Sequence, residues 1–228
     1  MAHNWMIAER EYARQETRRG RRHAYEHLDP GTTALVVIDM VPFFAEANLH
    51  CRDAIAPINS LAATLREAGG LVAWVLPDEA EPPTPHAIEF YGAQIAQVFG
   101  ASGGQGAPRD RLCPELTFME GEIVTEKSAA SAFFPGRCDL HDRLIARGIE
   151  TVIITGTVTN VCCESSARDA STLGYRVIFA ADATATVTDA AHNAALYTIY
   201  RSFGDVRPTA EILDLIAAGS VRAETVHG

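Results

Sequence analysis

ETVIITG at residues 150–156 runs directly into TVTNVCCESSARDA at residues 157–170. The first stretch is apolar and rich in β-branched residues, which is typical of a strand buried on both faces in a parallel sheet. The second leads into a helical pattern that ends at Gly174, because glycine commonly terminates helices. A buried strand followed by a turn and a helix is the repeating unit of α/β proteins. This stretch therefore predicts the fold class.

Four other apolar runs predict further strands of the same sheet. They are TALVVIDM at residues 33–40, GLVAWVLP at 70–77, EIVTEK at 122–127 and YRVIFAAD at 175–182. Helical periodicity predicts helices at residues 52–68, 139–149 and 189–203. Residues 78–86 and 101–108 are rich in proline or glycine and predict loops. The alternation predicts a doubly wound, mostly parallel β-sheet with helices on both faces, in three α/β/α layers.

Length and charge narrow the classes of function. The chain has 228 residues and a formal net charge of −10 at pH 7. We therefore expect a single domain over residues 1–228, and we disfavour nucleic acid and anionic membranes as partners. No apolar run is long enough to span a bilayer and the start lacks an apolar signal core, so we expect a cytoplasmic protein. Five cysteines without a regular disulfide spacing predict reduced thiols.

Residues 1–29 are polar and rich in helix formers up to Pro30, which predicts an N-terminal helical arm. The basic cluster RRGRR at residues 18–22 shares this segment with several glutamates. We therefore interpret the arm as solvated or in contact with another subunit rather than as a nucleic-acid tail. We expect a homodimer or homotetramer.

Several residues lie at or just beyond the ends of the predicted strands. They are Asp39, Asp78, Lys127, Gly156 and Asp182. Ligands of doubly wound sheets bind outside the carboxyl ends of the strands, so we expect these residues to line one edge of the sheet.

Lys127 is the only lysine among the 19 basic residues. An ammonium group is compact and its pKa shifts readily on burial, which suits proton-transfer chemistry that a guanidinium cannot perform. The alternative is a stray lysine in an arginine-rich composition.

Cys162 lies where the turn at residues 156–161 opens a helix. The N–H groups and positive dipole end of a helix lower the pKa of a thiol, so we expect an activated nucleophile. Asp39 can accept the thiol proton, and Lys127 can hold that carboxylate ionised. The backbone amides of the turn supply an oxyanion hole. The alternative is that Cys162 and Cys163 are small buried hydrophobes.

Three blocks together resemble a known family. VVIDM at residues 36–40, EKSAASAFF at 126–134 and VIITGTVTNVCCESSARDA at 152–170 are similar to the motifs of the isochorismatase-like cysteine hydrolases. That family includes N-carbamoylsarcosine amidohydrolase, nicotinamidase and ureidoacrylate amidohydrolase. The resemblance covers roughly residues 30–205.

The resemblance implies a role for each residue. Cys162 would attack a carbonyl to form a thioester, Asp39 would carry the proton, and Lys127 would orient both. A non-proline cis peptide is expected at Thr157–Val158, with the amides of Val158 and Cys162 forming the oxyanion hole.

Six residues are candidates for substrate binding, although the aromatic ones among them are about as often core residues. They are Phe44, Trp74, Phe133, Phe134, Arg137 and Thr157. Arg137 stands where the family usually has a small hydroxyl residue, and its role is open. Nicotinamidases bind a metal through an Asp and paired His after the second strand, where this chain offers only Asp78 and His86. We therefore expect no metal and no cofactor.

The favoured function is a metal-independent cysteine amidohydrolase that cleaves a C–N bond of a small amide, ureide or lactam. One alternative is an enol-ether hydrolase of the isochorismatase type, with Asp39 as general acid. Another is a non-catalytic binding protein on the same fold. The acidic loop with Asp78, Glu79 and Glu81 favours a neutral or cationic substrate, although Arg137 can reverse this preference.

Overall fold

Six parallel strands form one sheet. They are β1 Thr33–Ile38, β2 Leu71–Pro77, β3 Ile123–Lys127, β4 Thr151–Thr157, β5 Arg176–Ala185 and β6 Asp205–Arg207. Their order across the sheet is β3-β2-β1-β4-β5-β6. The computed structural model describes the backbone of residues 3–227 and their side chains, except those of residue 47 and residues 222–227.

Helices surround this sheet. They are α1 Glu9–Arg19, α2 Pro42–Ala47, α3 Leu49–Asp53, α4 Ile55–Glu67, α5 Pro85–Tyr91, α6 Ala93–Gly100, α7 Pro108–Arg111, α8 Leu140–Ile145, α9 Glu164–Thr172, α10 Asp189–Ser202 and α11 Thr209–His227. A 3₁₀ turn at Pro30–Thr32 precedes β1, and a π-helical turn at Thr159–Cys163 precedes α9.

Each face of the sheet has its own hydrophobic core, because successive side chains of a strand point to opposite faces. Leu35 and Val37 of β1 pack with α4 and α11 on one face. Val36 and Ile38 pack with α8, α9 and α10 on the other face. The predicted doubly wound sheet with helices on both faces is therefore confirmed.

The N-terminal arm is helical at α1 and packs on its own domain. The Tyr12 ring meets the edge of the Tyr200 ring of α10 at 5.3 Å. The Tyr200 hydroxyl donates a hydrogen bond to the carbonyl of Arg22 over 2.6 Å. The homodimer or homotetramer stays a prediction.

Several segments differ from the sequence prediction. The proline-rich segment predicted as a loop continues into helix α5, which begins at Pro85 with Thr84 as N-cap, and then into α6. The short strand β6 and the helices α2, α3, α7 and α11 were not predicted. β6 has three residues, which is too short to give an apolar run that stands out from its surroundings.

All five cysteines are free thiols. None of the described helices combines the length and apolarity that crossing a membrane requires.

The strand order reverses between β1 and β4, which is where doubly wound sheets form their binding crevice. The two strands approach closely at this point. Gly156 of β4 has φ 106°, and a Cβ placed there would lie 2.0 Å from the carbonyl oxygen of Ile38. Only glycine allows this approach. On β1 the contact lies directly before Asp39, and on β4 it lies shortly before the π-helical turn.

Gly156→Ala should therefore destabilise the protein by about 3 kcal/mol or more, because it combines an unfavourable φ with a backbone clash. Gly174→Ala is the matched control, since Gly174 also has positive φ but no atom within 4 Å of the added Cβ. That variant should lose only about 1–2 kcal/mol. Equal losses in urea unfolding would contradict the close-approach explanation.

Candidate active site

Asp39 follows β1 in an unusual backbone conformation. Its φ of 51° makes it the one non-glycine residue with positive φ among residues 3–227, a conformation that often marks functional sites. Two contacts hold its backbone: its amide donates to the carbonyl of Val75 over 2.8 Å, and its carbonyl accepts from the Thr157 hydroxyl over 2.7 Å. The strands on either side of β1 thus fix the position of this carboxylate.

Lys127 ends β3 and is buried. Its ammonium group lies 2.8 Å from Asp39 Oδ2, 3.1 Å from the carbonyl oxygen of Ala129 and 3.5 Å from Cys162 Sγ. These three acceptors match the three N–H bonds of an ammonium group. The only lysine of the chain therefore connects the carboxylate to the thiol.

Cys162 lies in the π-helical turn after β4 and is partly exposed. Such turns occur frequently at functional sites. Its neighbour Cys163 is fully buried, and its sulfur contacts the carbonyl of Thr155 at 3.8 Å. Among the two adjacent thiols, the one that contacts Lys127 is Cys162, as the sequence predicted.

The predicted lowering of the Cys162 pKa by the helix N-terminus is outweighed, and the pKa is raised instead. Burial, together with the negative charge of Asp39, raises the pKa of this thiol to about 12, although Lys127 opposes the shift. Cys162 is therefore a neutral thiol at neutral pH, and a base must remove its proton during attack.

Asp39 is suited to be that base. Burial raises the pKa of its carboxyl group above the ordinary value, and Lys127 and Cys162 oppose this shift only in part. For Lys127, burial alone lowers the pKa, but Asp39 and Cys162 outweigh burial and raise it. The ammonium therefore stays charged, and its 2.8 Å ion pair keeps the carboxylate available.

The two oxygens of the Asp39 carboxylate differ in their contacts. Asp39 Oδ2 pairs with Lys127, whereas Asp39 Oδ1 is buried and makes no hydrogen bond of good geometry with the described residues, although a hydrogen bond from the Cys162 thiol to this carboxyl group lowers its pKa. Buried polar atoms are nearly always hydrogen-bonded, so an exception calls for an explanation. An acceptor that awaits a proton provides one.

The peptide bond between Thr157 and Val158 is cis, at the position where the resemblance placed one. Thr157 itself has no exposed surface, because its hydroxyl is turned inward to the carbonyl of Asp39. The prediction that Thr157 contacts substrate is therefore wrong, and the residue instead positions Asp39. Val158 is the N-cap of the π-helical turn that contains Cys162.

The aromatic candidates fall into two groups. Trp74 is fully buried on the face opposite Cys162, where its indole N–H donates to Glu122 over 2.7 Å. Phe133 is 1% exposed, and its ring packs 5.6 Å from that of Tyr175. The prediction that these two line a pocket is wrong, because both are core residues. Phe44 is half-buried and Phe134 is 51% exposed, so they remain candidates.

Arg137 has a local role. Its guanidinium donates to the hydroxyl and the carbonyl of Ser128, each over 2.6 Å. Ser128 in turn donates its amide to the carbonyl of Arg137 over 3.0 Å. These contacts close the loop that directly follows Lys127.

Two supporting side chains were not found by sequence reasoning. Buried Arg111 donates to the carbonyls of Pro77 and Gly103 and pairs with Glu126, so it ties the ends of β2 and β3 together. Buried His192 bonds the hydroxyl of Thr159 over 2.9 Å at the start of the π-helical turn. Burial lowers its pKa to about 3, so this imidazole is neutral. Neither residue lies in a local motif that could have indicated its role.

One group of described residues has three potential metal-ligating side chains near one another. It consists of His3, His50 and Asp189. The residues considered after β2, Asp78 and His86, do not belong to it.

Comparison with known proteins identifies the family of this chain. Residues 33–211 match the family model of the isochorismatase domain. YwoC of Bacillus subtilis (strain 168), an uncharacterized isochorismatase family protein, is 32% identical over 193 residues, covering 83% of this chain and 97% of that protein. The ureidoacrylate amidohydrolase RutB of Klebsiella pneumoniae (strain 342) is 32% identical over 197 residues, covering 77% of this chain and 83% of that protein.

A cysteine hydrolase from Pseudomonas syringae pv. phaseolicola has a similar crystal structure. The TM-score is 0.74 at 27% identity, and the match covers 86% of this chain and 98% of that chain. The family model spans most of the chain, and the relatives match over 83–98% of their own length. The chain therefore belongs to the isochorismatase family.

Proposed function

We propose that this protein is a metal-independent cysteine amidohydrolase that cleaves a C–N bond of a small amide, ureide or lactam through a thioester. The observation that carries the proposal is the buried ammonium group of Lys127, which lies 2.8 Å from Asp39 Oδ2 and 3.5 Å from Cys162 Sγ. The other carboxylate oxygen, Asp39 Oδ1, is buried and can accept the thiol proton.

In the first half-reaction, Cys162 Sγ attacks the carbonyl carbon while Asp39 Oδ1 takes the thiol proton. The amides of Val158 and Cys162 stabilise the oxygen that becomes negative. Asp39 then gives the proton to the leaving nitrogen, the C–N bond breaks, and a thioester and an amine or ammonia remain.

In the second half-reaction, water attacks the thioester while Asp39 removes its proton. The C–S bond breaks and the acid is released, and the proton returns to the sulfur. Lys127 keeps the carboxylate and the sulfur in place through both steps, since all three of its contacts lie within this group and the adjoining loop.

The name of the relative RutB, a ureidoacrylate amidohydrolase, supports the C–N class. An enol-ether hydrolase needs Asp39 as an acid but has no use for a thiol. A thiol placed 3.5 Å from Lys127 therefore favours the thioester route.

The charge near the site favours a neutral or cationic substrate. The Asp78 amide bonds the carbonyl of Lys127 over 3.0 Å, so the acidic loop begins beside the catalytic group. The positive charge of Arg137 is engaged with Ser128.

The function is tested with a panel of small amides, ureides and lactams, assayed for release of ammonia or amine in the presence of a chelator. Turnover of at least one compound that survives chelation is expected. Turnover that is lost on chelation and restored by one added divalent metal would contradict the metal-independent route.

Cys162→Ala should abolish turnover, whereas Cys163→Ala should retain most of it. Cys163 is buried against the carbonyl of Thr155 and does not contact Lys127 in the described structure. The reverse pattern, in variants with unchanged circular dichroism, would show that Cys163 and not Cys162 is the nucleophile.

Asp39→Asn should lower the pKa of the Cys162 thiol from its value of about 12 by about 1–3 units. The substitution removes a nearby negative charge but leaves the ammonium of Lys127 beside the sulfur. Turnover should nevertheless fall by about 10²–10⁴, because the base is lost. The absorbance of the thiolate is measured against pH in the Asp39→Asn variant, with the double variant Asp39→Asn/Cys162→Ala as the blank. A Cys162 pKa equal to or above that of the wild type would refute the assignment of Asp39.

Lys127→Arg should reduce kcat by on the order of a hundredfold while the protein stays folded. A planar guanidinium cannot reach the three acceptors of the ammonium from the same position, and a displacement of about 1 Å has this effect on rate. Lys127→Met serves as a control that removes the charge at similar length. An arginine variant within a few-fold of wild type would show that positive charge alone is sufficient.

A further inference from the structure

His3 is a buried imidazole almost at the start of the chain. Its ring lies between two others: the His50 ring stacks on one side with centroids 4.0 Å apart, and the His192 ring on the other at 4.3 Å. Its side chain is 2% exposed. The reaction proposed above uses none of these three rings.

The nitrogens of His3 have distinct neighbours. Nδ1 lies 2.6 Å from Asp189 Oδ1, and Nε2 lies 3.0 Å from both the carbonyl oxygen and the amide nitrogen of Thr186. Without a metal, Nδ1–H can donate to Asp189 while Nε2 accepts from the Thr186 amide. A metal-bound histidine typically donates the N–H of its other nitrogen to a carbonyl or carboxylate. A metal at Nδ1 would therefore select the other tautomer, in which Nε2–H donates to the Thr186 carbonyl.

We propose that His3, His50 and Asp189 form a binding site for a divalent transition metal such as Zn²⁺. One ligand atom from each residue lies within 4.8 Å of the others. Two imidazoles and one carboxylate suit Zn²⁺, Ni²⁺ or Co²⁺ better than Mg²⁺ or Ca²⁺, which prefer oxygen ligands.

The three residues come from separate parts of the chain. His50 lies in α3, Asp189 is the first residue of α10, and His3 precedes α1. The Asn48 side chain connects two of these parts, because it accepts from the His50 amide over 2.9 Å and donates to the Thr186 carbonyl over 2.8 Å. The backbone around the site is therefore already ordered.

Binding requires small adjustments. Ligand atoms around a tetrahedral zinc with bonds of about 2.0–2.1 Å lie roughly 3.3 Å apart, so the side chains must move inward by about 1 Å. The His50 ring must also tilt, because stacked rings direct their nitrogens along parallel lines. Asp189 is 48% exposed, which gives the ion a path of entry.

His192 is not a ligand in this proposal. Its Nε2 lies 3.0 Å from the carbonyl oxygen of Ala181, and its Nδ1 lies 2.9 Å from the Thr159 hydroxyl. Both nitrogens are therefore committed to the fold. A metal bound to His3 would hold the N-terminal segment against His192, whose ring stacks on that of His3 and bonds the π-helical turn. The metal would not contact the Cys162 thiol.

The test titrates untagged, metal-free protein with Co²⁺ and with Zn²⁺, followed by visible absorption and by calorimetry. One equivalent is expected to bind, with a cobalt spectrum of nitrogen and oxygen ligands, and zinc should raise the melting temperature. His3→Gln and His50→Gln should each weaken binding at least about tenfold. His86→Gln removes an exposed imidazole elsewhere and should leave binding unchanged.

Three results would overturn the proposal. They are the absence of stoichiometric binding to wild type, unchanged affinity in folded His3→Gln and His50→Gln, and a thiolate-to-cobalt charge-transfer band that disappears in Cys162→Ala. The readouts are affinity, spectrum and melting temperature, so they are independent of the proposed hydrolysis.

Discussion

The buried ion pair between Lys127 and Asp39 is the interaction on which the site depends. Removing two charges from water is costly, and losing one partner of such a pair leaves an uncompensated charge that costs about 3–5 kcal/mol. Here the two charges lie 2.8 Å apart, and both side chains are almost fully buried. The thiol of Cys162 is the third member of this group, so its protonation is tied to the balance of the other two.

The sheet makes that pair possible. Asp39 follows β1, Lys127 ends β3 and Cys162 follows β4, so residues far apart in sequence meet at one edge where the strand order reverses. Gly156 lets β4 approach β1 immediately before the nucleophile turn. Gly156 thus allows the ends of β1 and β4, which lead to Asp39 and Cys162, to lie close together.

Much of this was predictable from sequence, because long apolar strands and the polar residues at their ends are strong local signals. The face of the sheet on which Trp74 lies was not predictable, because both faces of a central parallel strand are apolar and the sequence pattern does not distinguish them. The pKa of Cys162 was mispredicted because it depends on burial and on Asp39, which belong to the tertiary structure rather than to the helix that carries the thiol. Helices α5 and α6 were not predicted, because the prolines of residues 82–85 are typical of a loop although Pro85 is also the first residue of α5.

The segment with α5 and α6 leaves and re-enters the domain at nearly the same point. A Cβ on Gly103 would lie 1.7 Å from the carbonyl oxygen of Asp78, so the two ends of the excursion touch at the base. Its helices expose several large apolar side chains, including Phe90 at 72%. Because the ends are pinned together beside Lys127, insertions, deletions and substitutions between them leave β2 and β3 in register. A change in the length or sequence of this excursion would therefore alter the surface beside Lys127 without displacing the strand that carries it.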